Sequence, residues 1–136
     1  MIRCFSFLAF FALSMSASAD SSSAARHQVF EIRTYTTAPG KLDALNARFR
    51  NHTMKFFERH GMKNIAYLTP EDSPRSSDTL IYVLSHESRE AARKSWEAFN
   101  SDPEWRRVKA ESEAAGPIVV KVESVFVSAT DYSPMK

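Results

Sequence analysis

The sequence predicts an α+β domain, an antiparallel sheet with its helices gathered on one face. Three observations carry this. Residues 28–37, 63–69, 79–87 and 118–130 are β-prone runs. In the two intervals that follow the first and third of these, apolar residues recur every three to four positions instead. All three glycines of the chain, Gly40, Gly61 and Gly116, fall at joints between such segments.

The first strand, "QVFEIRTYTT" (28–37), has two unlike sides. Phe30, Ile32, Thr34 and Thr36 fall on one, and Glu31, Arg33 and Tyr35 on the other. Pro39-Gly40 ends it. A helix follows over about 41–59, with Leu42, Leu45, Phe49, Phe56 and His60 forming its apolar stripe. Gly61 supplies a left-handed cap. "KNIAYLT" (63–69) is a short second strand, and "PEDSPRSSD" is a loop rich in turn formers. Residues 79–87 are almost continuously apolar, which suits a central strand covered on both faces. Ser88 caps a helix over about 89–100, with Ala92, Trp96 and Phe99 inward. Asp102, Pro103 and Glu104 open another, with Trp105, Val108 and Ser112 inward. Gly116-Pro117 stops it, and 118–130 is the long last strand. The order β-α-β-β-α-β, with one extra helical segment, is the ferredoxin-like arrangement. It leaves one face of the sheet bare.

A chain of 136 residues allows one domain. A formal charge of +2, with the basic residues scattered, gives no field suited to nucleic acid or an acidic membrane. The first residues have the three parts of a secretory signal: Arg3, an apolar run from Cys4 to Leu13, and Ala17-Ser18-Ala19 before Asp20. The run is too short for a typical span, so no stable membrane anchor is expected after processing. We therefore read 1–19 as a signal peptide, 20–27 as a flexible tether and 28–134 as the folded domain. The expected location is the bacterial periplasm or the medium. Cleavage would remove Cys4, the only cysteine, leaving no disulfide or thiolate chemistry.

Four stretches resemble the NIPSNAP domain: "FEIRTYTTAPGKLDAL", "FFERHGMKNIAYLTP", "SWEAFNSDPEWRRVKAES" and "VESVFVSATDYSP". The likeness covers about 28–134. It implies a dimeric α/β barrel, in which two ferredoxin-like sheets pack face to face. It does not imply a particular chemistry. The wider superfamily includes small monooxygenases, isomerases and haem-handling proteins, and no motif of theirs is assignable in this sequence.

On that architecture, Phe30 and Ile32 are expected under the helices, and Glu31, Arg33 and Tyr35 on the bare face. Val119, Lys121, Glu123, Val125 and Val127 form a matching side of the neighbouring last strand. A second copy of the chain would cover that face. Glu31, Arg33, Lys121 and Glu123 are the candidate interface residues, with Glu31 paired to Arg33 or Lys121. The candidate ligand-binding residues are Arg33, Tyr35, His52, Tyr67, Tyr82 and Trp96, around a small apolar molecule. His52, between Phe49 and Phe56, is either a core-edge histidine or an acid, base or metal ligand. His86 is expected at a sheet rim. There is no nucleophile elbow, phosphate loop or dinucleotide fingerprint, so no cofactor is assigned. No catalytic residue or metal site is assigned either. A binding or interaction dimer, a cofactor-independent monooxygenase or isomerase, and a haem- or metal-binding protein all remain open.

Overall fold

β-Branched and aromatic residues build four strands: β1 (Val29–Thr37), β2 (Lys63–Leu68), β3 (Thr79–His86) and β4 (Val119–Val127). The computed structural model describes residues 28–135, so the proposed signal peptide and tether lie outside the described residues. The sheet order is β2-β3-β1-β4, and every pairing is antiparallel. This is the ferredoxin-like order, with β1 and β4 adjacent and β3 internal, as the sequence predicts.

The local signals act as expected. Helix α3 (Arg89–Ser101) opens on Ser88, whose hydroxyl accepts from the Ala91 amide at 3.0 Å. Helix α4 (Pro103–Ser112) opens on Asp102, which accepts from the amides of Glu104 and Trp105 at 2.8 and 3.2 Å. Gly61, at φ +78°, lets the Met62 amide turn back to the Phe57 carbonyl at 2.9 Å.

The first helix departs from its predicted form. It runs as α1 (Leu42–Arg48), a π-helical turn (Phe49–Thr53) and α2 (Met54–Arg59). In a straight α-helix of about 100° per residue, His52 falls on the stripe of Leu45 and Phe49, and Phe57 on its flank. The π turn inserts one residue and holds the phase back by about one step. Thr53 and Phe57 therefore turn inward and are buried, while His52 is exposed. The Thr53 hydroxyl donates to the Arg48 carbonyl, five residues back, at 3.3 Å.

The two faces of β1 are also the reverse of the expectation. Register pairs Glu31, Arg33 and Tyr35 with Leu84, Tyr82 and Leu80, which belong to the helix-side core. The Tyr35 ring lies edge-on to Phe49 at 6.1 Å, and the Arg33 guanidinium lies over Trp96 at 4.1 Å. Phe30 is buried but stands outside that core cluster. Burying the polar row is tolerable because its charges are paired internally. The bare face instead carries Ile32, Thr34, Ile81 and Val83, with Leu68 and Val125 about half exposed.

The last strand does not keep one side throughout. Its register with β1 shifts between Thr36 and Thr37, and Val120 is the bulged residue. Val119 consequently packs on the helix-side core, while Lys121, Glu123, Val125 and Val127 stay on the bare face. Among the described residues, no helix is long and apolar enough to cross a membrane.

Candidate functional site

The site is built from the polar row of β1 and the aromatic rows of the helices above it. Glu31 is 1% exposed and accepts four hydrogen bonds. Arg33 Nη1 donates at 2.8 Å, Ser124 Oγ at 2.7 Å, His86 Nε2 at 3.0 Å and Trp96 Nε1 at 2.7 Å. Burial alone would raise the carboxyl pKa. The donors His86, Ser124 and Trp96, with the charge of Arg33, overcome it and pull the value down to about 2. The Glu31–Arg33 pair expected from the sequence is present, but on the helix side. This corrects their assignment to a sheet-face interface. Lys121 instead pairs with Glu123 at 3.1 Å on the bare face. His86 is fully buried in the Glu31 network and is not at a rim.

Beside this network, sheet and helices form a cavity of about 530 Å³ that is open to solvent on one side. Tyr35, Phe49, Phe57, Trp96, Phe99 and Trp105 supply its aromatic walls, and Val119 and Val122 its β4 side. Arg33 closes part of it. Arg48, Lys109 and Glu113 stand together among the other lining residues. Arg48 Nη1 donates to Glu113 at 3.0 Å and to the Ser112 hydroxyl at 3.1 Å. Lys109 also donates to Glu113. Burial works against the Glu113 charge, but Lys109 and Arg48 hold its pKa below the ordinary carboxylate value.

The structure thus brings together Arg33, Tyr35 and Trp96 from the sequence-predicted set. Tyr82 lies beneath the cavity, fully buried, and burial pushes its phenol pKa well up. It packs against Tyr35 at 5.1 Å and stacks on Tyr67 at 5.7 Å. Tyr67 lines a smaller recess with Asn46, Met54 and Leu80, and its hydroxyl donates to Asn64. Burial raises its pKa too. His52 borders a separate shallow recess with Ala44, Ala47 and Val108. It is not positioned to act on anything in the aromatic cavity.

A family model for NIPSNAP matches residues 30–134. The chain belongs to the NIPSNAP family. Solved NIPSNAP structures share its fold. An uncharacterized NIPSNAP-like domain protein from Burkholderia xenovorans superposes with a TM-score of 0.69 at 16% identity, covering 80% of this chain and 90% of that one. A NIPSNAP family protein of unknown function from Agrobacterium tumefaciens gives 0.70 at 17%, covering 82% and 96%. SnoaB, a cofactor-independent oxygenase from Streptomyces nogalater, gives 0.51 at 13%, covering 79% and 98%. No curated protein matches.

Arg48 is the principal residue of this NIPSNAP site that sequence reasoning passed over. Its signal was its position, three residues after Leu45 and one before Phe49, inside the apolar stripe. Phe57 was missed because only the π turn brings it inward.

Proposed function

We propose that this NIPSNAP chain is an exported homodimer that binds a small, largely apolar molecule in the cavity between its sheet and helices. The observation that carries the binding role is the cavity itself. Its volume of about 530 Å³ suits a small ligand. Six aromatic rings wall it, and a few polar groups stand at defined places. The N-terminal signal-like segment supports export. The half-exposed apolar residues of the bare face support dimerisation.

Binding is favoured over catalysis by the state of the polar groups. A general base needs a proton affinity near the working pH. Glu31 is held far below that by its donors, and it sits behind Arg33. Glu113 is the carboxylate among the lining residues, and it is occupied by Arg48 and Lys109. Among the described residues, no histidine lines the cavity. An oxygenase or isomerase would therefore depend on the ligand's own acidity.

The test is to denature protein purified from its native compartment and identify what it releases by mass spectrometry. Val122 lines the cavity from the edge strand and is half exposed, so Val122→Trp fills the space without opening the core. Wild-type protein is expected to release a small molecule in near-stoichiometric amount. The folded variant should retain less than about a tenth of it, a loss of roughly 2.6 kcal/mol or more in binding. Equal loading of both proteins, or none in either, would remove the cavity from the function.

A further inference from the structure

The cavity is not neutral. Among the described residues, three cationic side chains line it, Arg33, Arg48 and Lys109, against one carboxylate, Glu113. Arg33 is matched one-to-one by Glu31. At the other pair of cations the match fails: among the described residues, Arg48 and Lys109 share Glu113 alone. That end carries a net charge of about +1, and its arginine side chain is only 4% exposed. Burying an arginine is costly unless its donors are used.

Arg48 uses few of them. A guanidinium offers five N–H groups. Among the described residues, Arg48 donates only through Nη1, to Glu113 and Ser112, and its Nε is buried without a partner. The guanidinium carbon lies 5.7 Å from the Trp105 ring centroid. The guanidinium's in-plane edge therefore keeps donors for further acceptors. A planar or tetrahedral oxyanion is the acceptor that such an edge fits best. The aromatic walls beside it call for a flat apolar body.

We infer that the ligand of this cavity is an apolar anion, a flat molecule with one acidic oxygen group held at the Arg48–Lys109–Glu113 end. This rests on the cavity being the binding site, as proposed above, and it names the chemical class the site selects. Carboxylates, sulfonates and acidic phenols share that chemistry.

Two dyes with the same ring frame separate the two ideas. 8-Anilinonaphthalene-1-sulfonate carries the acidic group, and N-phenyl-1-naphthylamine lacks it. Both tryptophans of the chain, Trp96 and Trp105, line the cavity, so energy transfer from tryptophan reports binding, and the substitutions below locate it. The sulfonate is expected to bind at least about tenfold more tightly than the neutral dye, as a charge-assisted hydrogen bond allows. Lys109 is half exposed, so Lys109→Met leaves the fold intact. It should weaken sulfonate binding about fivefold and leave the neutral dye within about twofold. Glu113→Gln should tighten sulfonate binding, a gain that structural damage cannot imitate. Equal affinity for the two dyes would overturn the inference while keeping the cavity, as would sulfonate binding unmoved by both substitutions. Quenching by neither dye would overturn the cavity reading and this inference with it.

Discussion

Glu31 shows how side-chain donors alone can hold a buried carboxylate beneath the helices. Four donors converge on it, and removing its charge leaves Arg33 without its ion-pair partner. Breaking a buried pair from one side costs about 3–5 kcal/mol. We expect Glu31→Gln to lower unfolding stability in urea by that order. The same residue sets an acid limit. Its carboxyl falls from 4.5 to about 2 on folding, so the unfolded chain takes up the proton first. The stabilisation, roughly 3 kcal/mol, is complete above pH ~4.5 and is lost as pH falls toward ~2. Urea midpoints measured across that window should decline in the wild type and stay flatter in Glu31→Gln. Parallel pH profiles for the two proteins would refute the assignment. The Glu31–Arg33 pair was legible in the sequence, since the two lie two positions apart on one side of a strand. Its setting was not, because His86, Trp96 and Ser124 arrive from 55, 65 and 93 residues away.

At the level of elements, what was legible was local. Ser88 and Asp102 cap their helices, and Gly61 turns the chain, through contacts a few residues long. The π turn was invisible because apolar periodicity assumes one pitch throughout a helix. It has a consequence for the cavity, since it contributes Phe49 and Thr53 to the wall and follows directly on Arg48. Deleting His52 should restore a straight α-helix: Thr53 and Phe57 then fall on the stripe with ordinary spacing. We expect that variant to unfold at the same temperature as the wild type or higher, because regular i to i−4 bonding returns. It should also bind the anionic dye at least about tenfold more weakly, because the widened turn that shapes the wall is gone. A deletion variant that binds normally would show that the π turn is incidental to the site.

For the whole molecule, strand order followed from the element order, but which side of the sheet held the site did not. Hydrophobicity ranked the β1 row of Phe30 and Ile32 as the inner one. Both rows are in fact adjacent to apolar surface, one under the helices and one on the bare face. That bare face is where the proposed partner would sit. Leu68 and Val125 are 54% and 53% exposed, with Ile32, Ile81 and Val83 between them. The Lys121–Glu123 pair stands beside them on the edge strand, where charges discourage open-ended strand pairing. A two-fold partner that lays its own sheet on this one buries both apolar rows at once. A stable contact of this kind covers about 800 Å² on each side. A lysine within that contact would be buried without a partner. Sedimentation analysis should therefore find a wild-type dimer at micromolar concentration and a folded monomer for Val125→Lys. The monomer should keep the cavity's dye binding, because cavity and bare face lie on opposite sides of the sheet. A wild-type chain that sediments as a stable monomer at that concentration would remove the partner from the account and leave the cavity standing alone.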